Sequence, residues 1–264
     1  MLIKKDRQFN ILPSHIGLKK YISYYNILFP EKDTFAAEYT LMPNACGTLS
    51  LAFDEASITA ELWGATTRPI PLGAEPNRYG ALLLVQLSPY GLYQITRQSQ
   101  IDFADQRLLL ADVDFELFMS LQQAFVASKN VTELTEACDK IFYRYMEEPA
   151  VSDALLSAAA IISDRHGQIK VNEVARQTYY SERHLNRLFL AQIGVGIKNY
   201  ARLTRFNYVL KHMQKSPCFF AALSQQAGYF DQAHFDKDFR AISGVSPKQY
   251  LETMSDFYYD GTEI

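Results

Sequence analysis

The sequence predicts an α+β chain: a β-rich first part carrying a few helices, then an all-α part built from a repeated helical unit. Three observations predict it. Strand-like alternation broken by Pro and Gly is concentrated in the first hundred residues. A twenty-residue segment occurs twice, fifty residues apart, as SERHLNRLFLAQIGVGIKNY at 181–200 and DQAHFDKDFRAISGVSPKQY at 231–250. Charge also divides the chain, because residues 165–250 hold 13 Lys and Arg against 5 Asp and Glu, whereas residues 1–164 hold 13 against 20. The tail from 251 adds 4 acids and no base, so the whole-chain net charge of -3 conceals the division.

In the β-rich part, Leu49, Leu51 and Phe53 alternate with Thr48, Ser50 and Ala52, and Ile58, Ala60 and Leu62 keep the same period. Alternation at period two marks a half-buried strand, and the nearly continuous apolar run at 81–87 fits a strand covered on both faces. Pro43, Gly47, Gly64, Pro69, Gly73, Gly80 and Pro89 punctuate these strands. The expected architecture is a β-sandwich or barrel of the cupin-like kind. Helices are expected at 112–127 and 131–146, with Leu117, Leu121, Ala124 and Phe125 on one stripe and Leu134, Cys138, Ile141 and Tyr145 on the other. Asn130 and Glu133 resemble a capping pair. Such stripes either cover a sheet or meet a second copy of the chain. A third helix, 152–163, leads into the all-α part, and the domains are drawn at 1–150 and 151–264.

The two copies share His184/His234, Phe189/Phe239, Ala191/Ala241, Gly194/Gly244, Val195/Val245, Lys198/Lys248 and Tyr200/Tyr250. At helical spacing the first gathers Leu185, Leu188, Phe189 and Ile193 on one side, and Arg183, Asn186, Arg187 and Leu190 on the other. One side is core and the other is presented. Before it, Val171, Val174 and Ala175 form the inner face of a supporting helix, Thr178, Tyr179 and Tyr180 the connection, and Ser181 the N-cap. The second copy repeats the plan with Phe220, Leu223 and Ala227 inward, Gly228 at the turn, Asp231 as cap, and Phe235 and Phe239 as anchors. That is helix-turn-helix, written twice. Between them, 197–214 carries Tyr200, Leu203, Phe206, Val209, Leu210 and Met213 at helical spacing until Lys215, Ser216 and Pro217 stop it. Its 18 residues span about 27 Å. A turn of DNA is ~34 Å, so one rigid helix can set two reading helices on successive major-groove segments.

Residues 165–250 resemble the DNA-binding domain of the AraC/XylS transcriptional regulators. The resemblance rests on Ala175, Ser181, Arg183, Leu185, Arg187, Phe189, Gly194 and Tyr200, then Arg205, then Gly228, Tyr229, Asp231, His234, Phe235, Phe239, Gly244, Pro247 and Tyr250. It implies base contacts from Arg183, Asn186 and Arg187 in the first recognition helix, and from Gln232, Ala233, His234 and Lys237 in the second. Arg and Asn carry forks that suit guanine and adenine edges. Phosphate contacts are expected from Ser181, Lys198, Arg202, Arg205, Lys211, Arg240 and Lys248. Ile197, Ser224 and Asp236 depart from the family's pattern, which favours Pro, a small apolar residue and a small hydroxyl residue there. Asp236 and Asp238 place carboxylates on or beside a helix that should approach phosphates, and Ala233 can offer only a methyl contact, so the first head is expected to carry more of the hydrogen-bonded readout.

In this family the first domain commonly senses a small molecule and mediates dimerisation. The expected partners are therefore double-stranded DNA, RNA polymerase, a small organic ligand and a second copy, as a homodimer. Tyr39, Phe53 and Trp63 are the expected pocket residues, although aromatic residues at such spacing also serve as plain core. Neither a cofactor nor a metal is expected: residues 1–165 hold one histidine, His15, too few for a metal-dependent cupin enzyme. Phosphate-loop, nucleophile-elbow and zinc-protease motifs are absent from the sequence. Cys46, Cys138 and Cys218 are too scattered for a zinc site or a disulfide framework. A polar start and the lack of an apolar run near the ~20 residues of a membrane span point to the cytoplasm. The chain therefore reads as a sequence-specific transcriptional activator and not an enzyme. Its rivals are an interaction protein with degenerate DNA binding and a β-barrel enzyme fused to a DNA anchor.

Overall fold

The structure, a computed structural model, describes residues 8–54, 57–215 and 220–253. Its strands are β1 (Phe9–Pro13), β2 (Ile22–Leu28), β3 (Thr40–Leu41), β4 (Thr48–Phe53), β5 (Ile58–Trp63), β6 (Ile70–Pro71), β7 (Ala81–Leu87) and β8 (Arg107–Leu109). Six of them form one antiparallel sheet in the order β1-β2-β7-β4-β5-β8, while β3 and β6 pair as a separate two-stranded flap. The alternating segments are β4 and β5 and the apolar run is β7. By contrast β2, ISYYNIL, is flanked by β1 and β7 and mostly buried, so its tyrosines and Asn26 hide the period.

Register gives the sheet two unlike faces. Leu49 lies opposite both Leu62 and Val85, and Leu51 opposite both Ala60 and Leu83. These residues, with Tyr25 and Ile27, bury against α1 (Gly91–Thr96), α3 (Phe115–Ala127) and α4 (Val131–Met146), while the one-turn α2 (Leu110–Val113) joins β8 to α3. Phe53 has the parity of Leu49 and Leu51, and it stacks on Phe125 with centroids 5.6 Å apart. This corrects its expected place in a ligand pocket: Phe53 belongs to the helix-covered face. On α4 the deepest row is Leu134, Cys138 and Phe142, spaced by four, with Ile141 and Tyr145 only partly buried beside it. The inner stripes of α3 and α4 thus cover the sheet.

Ser152 caps α5 (Asp153–Asp164), its hydroxyl accepting the Leu155 N–H at 3.3 Å. There follow α6 (Val171–Thr178), α7 (Glu182–Ile193), α8 (Ile197–Lys215), α9 (Phe220–Gln226), α10 (Gln232–Ser243) and α11 (Pro247–Thr253). Their shared core holds Leu155 and Ile162 of α5, Leu185 and Phe189 of α7, Phe206 and Val209 of α8, and Phe235 and Phe239 of α10. Tyr21, Ala45 and Ala65 of the β part join that same core. Two glutamines hold the junction between the parts, one from each side. Buried Gln94 donates to the carbonyls of Tyr145 and Glu148 at 2.8 and 2.9 Å and accepts the Ala150 N–H at 2.9 Å, which fixes the segment between α4 and α5. Gln192, near the end of α7, accepts the Ser152 N–H at 3.1 Å. The helix stop expected at Ser216 and Pro217, and Cys218, lie outside the described residues. Among the described residues no helix is long and apolar enough to cross a membrane.

Candidate nucleic-acid interface

Both helix-turn-helix units are built by the same local physics. The chain leaves α6 through Tyr179 at φ +59° and α9 through Gly228 at φ +72°. Ser181 then accepts the His184 N–H at 3.2 Å, and Asp231 the His234 N–H at 2.7 Å. Each cap satisfies an N–H that the first helical turn leaves orphaned. Gly194 and Gly244, at φ +94° and +78°, end the two recognition helices in the left-handed conformation that glycine adopts without strain. Leu185 and Phe189 anchor α7, Phe235 and Phe239 anchor α10, and α8 joins the units through contacts of Tyr200 with Phe189 and Phe206 with Phe239. At 19 residues α8 is about 28 Å long.

Opposite these anchors, Arg183 and Arg187 are exposed on α7, and Gln232, Ala233, His234, Lys237 and Arg240 on α10. Ser181, Lys198 and Lys248 are exposed at the helix starts. A guanidinium nitrogen of Arg187 lies 3.3 Å from His184 Nδ1, and Tyr180 stacks on the His184 ring at 5.1 Å, which restrains the first turn of α7. Partial burial raises the Asp236 carboxyl pKa, while Arg240 beside it acts the other way.

Four expected contact residues are engaged inside the protein. Asn186 is half-buried, and its Oδ1 accepts the Ile197 N–H at 3.2 Å, capping α8 and occupying half of the fork that an adenine contact needs. Arg202 donates from Nε to Asp238 Oδ1 at 2.7 Å. Arg205 donates to the Gly167 carbonyl at 3.1 Å and lies over the Tyr229 ring at 5.3 Å. Lys211 turns the opposite way, lining a cavity against the β part. The physical reason is shared: α8 is enclosed by α7, α9, α10 and the β part, so much of its circumference faces protein. Asp238 differs from expectation as well, since its second oxygen accepts from the Tyr229 hydroxyl at 3.0 Å and the carboxylate is thereby tied to groups within the protein.

That cavity measures about 470 Å³ and lies between the flap and the second face of the sheet, with Asn207 and Lys211 of α8 on its wall. Tyr39 and Trp63 line it. Its sheet face carries Asn26, Ser50 and Gln86, and the Trp63 indole donates to Ser50 at 3.2 Å. Asn26 is buried and its Oδ1 has no hydrogen-bond partner. Glu61 and Glu75 are paired with Arg107, whereas no ion pair among the described residues takes up the Lys211 ammonium. Sequence reading missed Asn207 and Lys211 as cavity residues; the available signal was their spacing of four, which puts both on one face of α8. Among the described residues no group of three or more His, Cys, Asp or Glu is arranged to hold a metal ion.

A pair of capped helix-turn-helix units on one linker helix defines a double helix-turn-helix DNA-binding domain, and this chain carries one. Residues 174–253 match the family described as "Helix-turn-helix domain". Over 106 residues the chain is 31% identical to the HTH-type transcriptional activator RhaR of Salmonella schwarzengrund, covering 39% of this chain and 37% of that protein. Over 83 residues it is 34% identical to RhaR of Salmonella arizonae, covering 31% of this chain and 29% of that protein. The chain thus matches well under half the length of these curated relatives. Among solved structures it is similar to ToxT from Vibrio cholerae, with 12% identity, a TM-score of 0.43, and coverage of 94% of this chain and 98% of that one. It is also similar to the C-terminal domain of AraT from Geobacillus stearothermophilus, with 21% identity, a TM-score of 0.38, and coverage of 40% and 89%.

Proposed function

We propose that the protein is a sequence-specific transcriptional regulator, an activator, that reads two adjacent major-groove segments with α7 and α10 and acts in the cytoplasm. The observation that carries this is the row of exposed basic and polar side chains on each recognition helix, set opposite a buried anchor pair of the same kind in both. In this reading Arg183 and Arg187 are the principal base readers of the first head. Gln232, His234 and Lys237 are those of the second, with Ala233 offering a methyl contact. Ser181, Lys198, Arg240 and Lys248 hold phosphates. Asn186 is left out because its oxygen caps α8. Residues 151–264 form the DNA-binding domain and residues 1–150 the regulatory one; RNA polymerase and a second copy of the chain are the protein partners of this reading.

The regulatory part takes a small organic ligand in the 470 Å³ cavity, a volume within the range of about 300–1,000 Å³ that small-molecule sites occupy. Aromatic and aliphatic walls suit an apolar body, and the Lys211 ammonium, which no ion pair among the described residues takes up, suits an acidic or acceptor end. Because Lys211 and Asn207 belong to the linker helix, a ligand that binds one arrangement of α8 better than another shifts how the heads are presented.

The test is selection from a randomised DNA pool. Arg183→Ala and Arg187→Ala should each lose about 1–3 kcal/mol of discrimination at particular bases, whereas Lys198→Ala should weaken binding to all sequences alike. Wild-type base preference in both arginine variants would refute the assignment.

A further inference from the structure

The two heads diverge at one place that the repeat makes easy to locate. Aligning Ser181 with Asp231 puts Leu188 opposite Asp238 and Tyr179 opposite Tyr229. In the first unit Leu188 packs on the core and Tyr179 is 95% exposed. In the second, Tyr229 is buried and donates to Asp238 at 3.0 Å, while Arg202 of the linker helix holds the other carboxylate oxygen at 2.7 Å. The chain continues from there: Arg205, three residues beyond Arg202 on α8, covers the Tyr229 ring and donates to the Gly167 carbonyl between α5 and α6. Gly167, at φ +73°, admits no side chain, since a Cβ would lie 2.1 Å from the Ala201 carbonyl oxygen. One polar network therefore runs from the second recognition helix, through the linker helix, to the start of the first unit.

We propose that Arg202 and Asp238 are a positioning pair that sets the pitch of α10 against α8, and so determines which bases the second head reads. The proposal rests on the DNA-reading function above and adds residues that touch no DNA. Without Arg202, the Asp238 carboxylate would sit uncompensated on a helix that approaches phosphates. With it, the charge is balanced and the hydrogen-bond geometry fixes the angle between the helices. Lys211, six residues beyond Arg205 on α8, takes no part in this network.

The experiment uses the full chain and DNA selected with the wild type, and compares Arg202→Ala, Arg202→Lys, Asp238→Asn and Lys198→Ala. For each, base preference in the two half-sites and the slope of log affinity on log salt are measured. A lost phosphate contact reduces the slope by about 0.9. The expected result is that Lys198→Ala shows this reduction, while Arg202→Ala and Asp238→Asn keep the wild-type slope. Both should lose about tenfold or more of their selectivity, the scale of one base contact, in the second half-site only. Arg202→Lys, which keeps the charge, should recover part of it. A reduced slope with selectivity intact in both half-sites would make Arg202 a phosphate contact and overturn the proposal. Uniformly tighter binding of every sequence by Asp238→Asn would reduce Asp238 to simple repulsion and overturn it too. Should Arg202→Ala fail to fold, Arg202→Lys and Asp238→Asn decide on the same criteria. If the wild type selects no sequence, the parent reading fails and this one with it; selection by the wild type with no half-site asymmetry in the variants defeats this one alone.

Discussion

Asn186 and Arg187 are neighbours on α7, yet about 100° of helical rotation separates their surroundings. Arg187 is exposed, while Asn186 reaches back to the first N–H of α8, close enough to Gly196 that a Cβ there would meet its oxygen at 2.7 Å. Removing a cap of this kind costs about 0.5–2 kcal/mol. Asn186→Ala should therefore lower stability by roughly 1 kcal/mol in urea unfolding while leaving base preference unchanged; a changed preference at full stability would return Asn186 to the readers. Cys46 makes a second residue-level case. Burial pushes its thiol pKa up to about 12, so folding favours the protonated form. The stability this contributes is whole below the unfolded thiol's pKa and is lost as pH rises towards about 12. At pH ~8 the folded chain should alkylate at Cys46 more than about tenfold more slowly than the unfolded chain, read by peptide mass spectrometry.

The recognition helices end alike, but their ends are not in like places. At Gly244 an added Cβ would meet Pro69 in ordinary van der Waals contact at 3.9 Å, whereas at Gly194 it would lie 2.6 Å from the carbonyl oxygen of Gln100 in the β part. Both substitutions by Ala carry the left-handed penalty of about 1–2 kcal/mol. Gly194→Ala must in addition push the end of α7 away from the 3-10 turn at Gln100–Asp102, so it should cost at least about 1 kcal/mol more than Gly244→Ala in the same melts. Equal losses would mean that this contact yields freely. The contrast also shows that the first helix-turn-helix unit is docked on the β part through α7, α1 and that turn, although the two units are close copies in sequence.

At the scale of the whole protein, basic charge is divided between outward and inward duty. Lys198, Lys237, Arg240 and Lys248 with the exposed arginines of α7 face solvent, while Arg202, Arg205 and Lys211 are occupied by Asp238, the Gly167 carbonyl and the cavity. With the ~3 phosphates that Lys198, Arg240 and Lys248 neutralise, the slope of log affinity on log salt should be about −2.7. Lys211→Ala should leave that slope unchanged and instead abolish the response of Trp63 fluorescence to small organic acids, a clean signal because the chain has 1 Trp. A slope reduced by about 0.9 in that variant would restore Lys211 to the phosphate contacts.

Periodicity, repetition and capping are local properties, which is why β4, β5, β7, α3 to α5 and the double helix-turn-helix with its Ser181 and Asp231 caps could be read directly from the chain. Sequence parity also grouped Phe53 with Leu49 and Leu51, but not which face of the sheet receives the helices and which the flap; that depends on how distant segments close over it. β2 stayed illegible because burial on both faces removes the alternation, while Tyr24, Tyr25 and Asn26 break the continuous apolar run that made β7 readable. The fate of the α8 cations was equally out of reach. An arginine's fork fits a carboxylate, a backbone carbonyl or a phosphate equally well. Only the packing of α8 between the second head and the β part selects Asp238 for Arg202, Gly167 for Arg205 and the cavity for Lys211.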